Sequence, residues 1–414
     1  MAQGVTSETG YNLQTEPGTI HNLLSKVPEI TLYFWIVKIL CTTVGETAAD
    51  FLNVNLNFGL TITSIVTGVL LVVALFFQFK SNRYIPSIYW LSVVLISVFG
   101  TLVTDNLTDA LEVPLEFSTI LFSLLLAGTF FLWYKKEKTL SIHSIFTTQR
   151  EAFYWLAILF TFALGTAAGD LLAEGLALGY LVTGVIVAAA VAVFAASWKM
   201  GLNPILSFWS IYILTRPLGA SIGDYLSQPA QYGGLGLGAT VTSVIFLGAI
   251  LVVVVYMTLT KADVITKPTE DKSINNNGLK QTIAVLALVL LLSGIGYQWR
   301  SSTLEEGTNT PETKTTSSVG NPSVNPLGDM TAFTDIIQDT LDLVNQNKLS
   351  EATTRVADLE SEWDSAESKL KPMSKAKWTE VDDAIDEVLH QLRARKVDAV
   401  QSKSALEALL QTLE

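Results

Sequence analysis

The sequence predicts an all-α polytopic membrane protein: an eight-helix bundle of four parallel two-helix repeats, a ninth transmembrane helix and an external helical domain. Three observations carry that prediction. Apolar blocks long enough to cross about 30 Å of hydrocarbon recur along most of the chain. A tryptophan, a glycine and an aspartate recur four times at fixed offsets. The C-terminal part is polar and acidic, with apolar residues at helical spacing.

Composition sets the first limits. Of 414 residues, 50% are hydrophobic and only 15% charged, where a soluble domain carries about 25%. The net charge of −12 argues against a nucleic-acid partner, because phosphate contacts need clustered Lys and Arg. The one cysteine, Cys41, lies in an apolar stretch, so no intrachain disulfide forms. His21, His143 and His390 are far apart in sequence, which argues against a His/Cys zinc site. No nucleophile–base pair, phosphate loop or haem-ligand pair stands out, so no catalytic role is expected.

The elements follow in order. Residues 1–29 are polar, lack a signal-peptide core and read as a cytoplasmic N-terminal segment. Spans near 30–52, 59–79, 86–106, 115–134, 152–173, 178–198, 204–226 and 236–259 make up a four-repeat transmembrane domain over 30–260. Its repeats run over about 30–79, 86–134, 152–198 and 204–259. Residues 261–280 form a cytoplasmic loop, 281–298 a ninth span, 299–328 a flexible linker rich in Ser, Thr, Pro, Gly and Asn, and 329–414 the external domain.

Charge gives the orientation. Lys80, Arg83, Lys135, Lys136, Lys138, Arg150, Lys199, Lys261, Lys267, Lys272 and Lys280 all fall on one side if every segment crosses. Asp50, Asp105, Asp109, Glu112, Glu116, Asp170, Glu174 and Asp224 fall in the intervening turns. The positive-inside rule puts the N-terminus and basic loops in the cytoplasm, and nine crossings put the C-terminal domain outside.

In that domain four apolar stripes predict four helices. They are Ile336, Ile337, Leu341 and Val344; Val356, Leu359, Trp363 and Leu370; Trp378, Val381, Ile385, Val388, Leu389 and Leu392; and Leu406, Leu409, Leu410 and Leu413. Pro372 separates the second from the third. Such a bundle binds an extracytoplasmic protein partner or packs on the membrane part.

The repeat is found by aligning tryptophans. Trp35, Trp90, Trp155 and Trp209 each follow an aromatic residue: Phe34, Tyr89, Tyr154 and Phe208. Ten residues on stand Gly45, Gly100, Gly165 and Gly219, and fifteen on stand Asp50, Asp105, Asp170 and Asp224. The residues before the aspartates are Ala49, Thr104, Gly169 and Gly223, which gives a small-xxx-small pattern that allows close helix contact. At about 100° per residue, the aspartate lies about 60° round from the tryptophan and roughly 22 Å further along the helix.

Parallel copies suggest symmetry about the membrane normal. Four aspartates would then converge near the outer surface. Thr63, Ser64, Ser118, Thr119, Thr183, Gly184, Thr242 and Ser243 open the second helices at similar depth and would offer neutral oxygens. Clustered carboxylates near a membrane are costly without compensation. Oxygen ligands without His or Cys favour Mn²⁺, Mg²⁺, Ca²⁺ or a proton. The other reading is that each aspartate ends its helix and shapes the turn, although a carboxylate at a helix C-terminus opposes the dipole.

Three charges break the symmetry. Lys38 and Glu46 lie in the first span and Arg216 in the seventh, next to Pro217. Intramembrane charges pair or line a cavity, so Arg216 is expected to pair with Glu46 or Asp50. Lys38 either shares such a role or snorkels to the cytoplasmic surface. Pro217 is expected to kink or open its helix. The tryptophans read as an interfacial belt or as packing or gating residues.

The tryptophan-led unit, with Lys26-Val27-Pro28-Glu29 before Phe34-Trp35 and Thr43-Val44-Gly45-Glu46-Thr47 after it, resembles an uncharacterised bacterial membrane-protein family built from four such repeats. The resemblance covers roughly residues 26–260 and implies a bacterial cytoplasmic (inner) membrane location. It supplies no activity and assigns no site residue.

Two functional readings follow. In the first, the protein is a transporter or channel for a small cation, with Asp50, Asp105, Asp170 and Asp224 at an outer metal or proton site and Glu46 and Arg216 deeper as coupling or gating groups. In the second, it is a membrane sensor or scaffold whose external domain binds a protein or ligand. Convergence of the four aspartates would separate them.

Overall fold

The computed structural model describes residues 25–55, 58–111, 113–230, 233–264, 278–308, 325–371, 373–394 and 397–413. Glu112, most of the loop expected at 261–280 and most of the linker expected at 299–328 lie outside them. All regular structure among the described residues is helical, and nine of the helices are long and apolar enough to cross a membrane.

The repeats form α1 (Leu32–Asp50) and α2 (Gly59–Lys80), α3 (Pro86–Thr108) and α4 (Leu115–Glu137), α5 (Thr148–Asp170) and α6 (Gly179–Lys199), and α7 (Pro204–Ser227) and α8 (Ala239–Thr260). Local chemistry sets the starts. Thr31, Thr147 and Asn203 cap α1, α5 and α7 through side-chain oxygens. Pro86 and Pro204 occupy first-turn positions, where a missing N–H costs nothing. In repeats 1 and 3 the first helix passes into a π-helical turn, Phe51–Asn55 and Leu171–Gly175. A glycine of positive φ then starts the next helix: Gly59 at 69° and Gly179 at 71°.

The first helices form a closed inner ring: α1 packs on α3, α3 on α5, α5 on α7 and α7 on α1. Each second helix packs chiefly on the first helix of the next repeat: α2 on α3, α4 on α5, α6 on α7 and α8 on α1. The ring therefore closes only when all four repeats are present. Burial follows the layers. At least 56% of the apolar window of each inner helix is buried, against 17–28% for the outer helices, whose apolar faces are left for lipid.

The glycines make the ring tight. A Cβ on Gly45 would strike Ser97, on Gly100 Phe162, on Gly165 Arg216, and on Gly219 Thr42. Those partners all stand seven residues after a repeat tryptophan, so one contact recurs four times round the ring. The aromatic pairs repeat in the same way. Phe34 packs on Trp90 at 5.6 Å, Tyr89 on Trp155 at 5.4 Å, Tyr154 on Trp209 at 6.3 Å, and Phe208 on Trp35 at 5.7 Å. Trp90, Trp155 and Trp209 are buried, so they bond the ring together rather than form an interfacial belt. α7 runs unbroken through Pro217, whose ring sits beside Gly165 and Gly169. Small residues on α5 absorb the proline, and the helix does not open.

Helix α9 (Gly278–Thr308) extends beyond the expected span into what reads as linker. Gln281 accepts from the Asn203 amide at the start of α7, and Tyr297 donates to Glu116 at the start of α4. Those contacts lie at opposite ends of the bundle, so α9 runs across it. The C-terminal part is a four-helix domain of α10 (Thr331–Asn345), α11 (Leu349–Leu370), α12 (Lys375–Leu392) and α13 (Ala399–Leu413). Its core is centred on stacked Trp363 and Trp378, 3.8 Å apart.

Candidate functional site

The site is built from the C-terminal ends of the inner helices. Asp50, Asp105, Asp170 and Asp224 occupy equivalent positions in the last turns of α1, α3, α5 and α7, and all four line one cavity of about 1400 Å³. Glu46 reaches the same cavity one turn deeper. None of the four aspartates makes a side-chain hydrogen bond or ion pair with a described residue. Shaping a turn through its own backbone therefore does not explain them.

Below the aspartates lies a buried ion pair. Arg216 of α7 donates to Glu46 of α1, to Thr101 of α3 at 2.5 Å and to the Thr42 carbonyl at 3.3 Å. One guanidinium thus ties three inner helices together. Gly165 makes room for it, since a Cβ there would overlap the Arg216 stem.

Lys38 stands a turn further in. It does not snorkel: it is 1% exposed. Its Nζ has no hydrogen-bond partner and sits 3.6 Å from the Phe162 ring centroid and 4.2 Å from that of Tyr212. The two rings enclose the amine where water does not reach.

Beyond Lys38 the axis is shut by the aromatic ring, in which the Tyr89 and Tyr154 hydroxyls meet at 2.5 Å. A polar strap seals the far end. Lys26 bonds Glu151 at 2.6 Å and the Phe79 carbonyl at 3.0 Å, while Gln78 donates to the same Glu151 at 3.0 Å. Tyr84 donates to Asp263 at 2.5 Å, and the Asp263 carbonyl accepts from the Glu29 amide. Burial, with the Tyr84 hydroxyl opposing it, raises the Asp263 carboxyl.

The hydroxyls expected to join the aspartates do not. Thr63, Ser118, Thr183 and Thr242 are buried, but the cavity wall does not include them. The outer helices turn these residues onto the next repeat's inner helix. Among the described residues no three of His, Cys, Asp and Glu stand close enough to hold a metal ion directly. The aspartates line a wide vestibule and not a coordination cage.

Part of that vestibule is invisible to repeat alignment. α11 packs on both π-helical turns, and its Asp364 and Glu367, with Lys371 after it and Asp382 of α12, line the same cavity. The repeat family DUF347, described as a repeat of unknown function, matches residues 33–84, 88–139, 153–200 and 207–263. The chain belongs to this family. The DUF347 repeats coincide with the four helix pairs, and α9 and the C-terminal four-helix domain lie beyond them. No curated protein and no solved structure matches the chain.

Proposed function

We propose that the protein moves a small cation, a proton or a hydrated divalent metal ion, along the axis of the DUF347 ring. The observation that carries this reading is the convergence of one aspartate from each repeat on a single cavity, none of them in a side-chain hydrogen bond or ion pair with a described residue. Four carboxylates around water attract cations and repel anions. The width of the vestibule favours an ion that keeps its hydration shell, as Mg²⁺ does readily. Glu46 then stands between the vestibule and Arg216, where an arriving cation competes with the guanidinium for one carboxylate. That competition makes the Arg216–Glu46 pair a gate.

The basic loops support a cytoplasmic N-terminus and an external C-terminal domain; the bacterial inner membrane is what the family resemblance implies. A sensor or scaffold whose external domain binds a protein is the other reading. A tether needs a single span, and it explains neither the buried Lys38 nor the convergent aspartates.

The test is flux into proteoliposomes of Mn²⁺, Mg²⁺, Ca²⁺ and H⁺, comparing the wild type with a variant carrying Asn at positions 50, 105, 170 and 224 together. Flux in the wild type and none in a folded variant supports the proposal. Equal flux in both removes the aspartates from the path.

A further inference from the structure

The vestibule is crossed by the external domain. α11 packs against the π-helical turn of repeat 1 and against that of repeat 3. The ring order 1-2-3-4 places those repeats on opposite sides, so one helix bridges the mouth along a diagonal.

Charge alone opposes this seat. Asp109 and Glu174 line the cavity from the repeat side, and Glu367 and Asp382 from the domain side. Facing carboxylates repel unless a cation lies between them. Lys371, Lys375 and Arg393 all line the cavity from the domain side; Arg393 is bound to Glu360, and Lys371 is the one that lies among carboxylates of both sides. Lys371, the first residue after α11, pairs with Glu367 one turn back, lines the shared cavity and lies in the field of Glu174 and Asp109. Burial works against its charge, but Glu367 first, and then Glu174 and Asp109, hold the ammonium above the ordinary lysine range.

We propose that the external domain is a lid on the vestibule, and that Lys371 is a tethered cation that keeps it shut by competing with the mobile cation for the outer carboxylates. The competition rests on the cation reading above; the lid itself does not. Lid and ion are then linked. A cation that binds the vestibule more tightly when Lys371 is withdrawn shifts the domain towards its open position, and closure weakens cation binding by the same factor. The protein would conduct when the outside concentration of its own substrate is high.

The test uses the full chain in nanodiscs, with Cys41→Ser and spin labels on Leu111→Cys and Ala332→Cys, two exposed positions that do not line the cavity. Pulsed EPR reads the distance between domain and bundle, and proteoliposomes report flux of the same variants. The wild type should give one narrow distance that broadens as Mg²⁺ rises. Lys371→Ala should broaden it without Mg²⁺ and raise flux about tenfold, the shift expected from losing one charge-assisted contact. Lys371→Arg should restore the narrow distance and the low flux. A narrow distance in Lys371→Ala that ignores Mg²⁺ would overturn the lid. If no ion moves through any variant, the cation reading falls, and the distances alone decide the lid.

Discussion

Arg216 of repeat 4 and Glu46 of repeat 1 form an ion pair across the seam where the ring closes. The pair is buried, so losing one partner strands a charge in a low dielectric. Removing Glu46 alone as Glu46→Gln should cost about 3–5 kcal/mol. A double-mutant cycle with Arg216→Met should show coupling of roughly 1–3 kcal/mol. Thermal unfolding of the four proteins in one detergent checks this. Additive losses would mean that the two side chains do not act as a pair.

The glycine contacts predict a sharp contrast between helices. Ala at Gly165 or Gly219 places a Cβ on Arg216 or on Thr42, so either change should destabilise the ring by about 1–3 kcal/mol or more. Ala at Gly128 or Gly248 on the outer helices meets nothing within 4 Å. There it should be neutral or stabilising by about 0.5–1 kcal/mol, because alanine favours helix. Similar losses at all four positions would contradict the division into inner and outer layers.

Lys38 offers a separation of stability from flux. Its amine has no hydrogen bond, so Lys38→Met, which keeps length and removes charge, should leave the unfolding temperature unchanged or higher. Flux should fall if the axis beneath Glu46 is the path. A variant with normal flux would confine the path to the vestibule half of the ring.

Lid closure should depend on pH. Asp109 is open to the water of the vestibule, yet the protein massed around it, and after that Glu367 across the gap, pushes its carboxyl up to about 7, with Lys371 opposing. Burial raises Asp382 to about 6, against the hydrogen bond from Trp363 and with Glu367, Asp386 and Lys371 nearby. Undocked, Asp109 should return towards the ordinary value near 4, whereas Trp363, Glu367, Asp386 and Lys371 stay beside Asp382 in its own domain. The closed state therefore binds more protons than the open one. Its electrostatic penalty is full above about pH 7 and fades as pH falls through 7. The EPR distance should narrow between about pH 8 and pH 5. Broadening over that interval would give the linkage the wrong sign.

Much of the ring was legible in the sequence because one requirement is repeated four times. Trp, Gly and Asp at constant offsets fix depth and face, and hydropathy fixes the crossings. The pairing of Arg216 with Glu46 was legible because intramembrane charges have few partners. What could not be read was which helix each outer helix covers. Thr63 and its equivalents appear at the depth of the aspartates, yet packing onto the next repeat turns them away. Lys38 was ambiguous because its aromatic cage comes from Phe162 and Tyr212, on two other helices. The lid was hidden most completely. Lys371 and Glu367 look like an ordinary helical i,i+4 pair, and only the seat of α11 on two distant turns brings them over the vestibule.

The four single variants Asp50→Asn, Asp105→Asn, Asp170→Asn and Asp224→Asn test the shared site most directly. Their flux should be measured in proteoliposomes beside the wild type. If one carboxylate from each repeat serves one path, each change lowers flux, and by comparable factors. Four folded variants that all conduct like the wild type would contradict a shared carboxylate site.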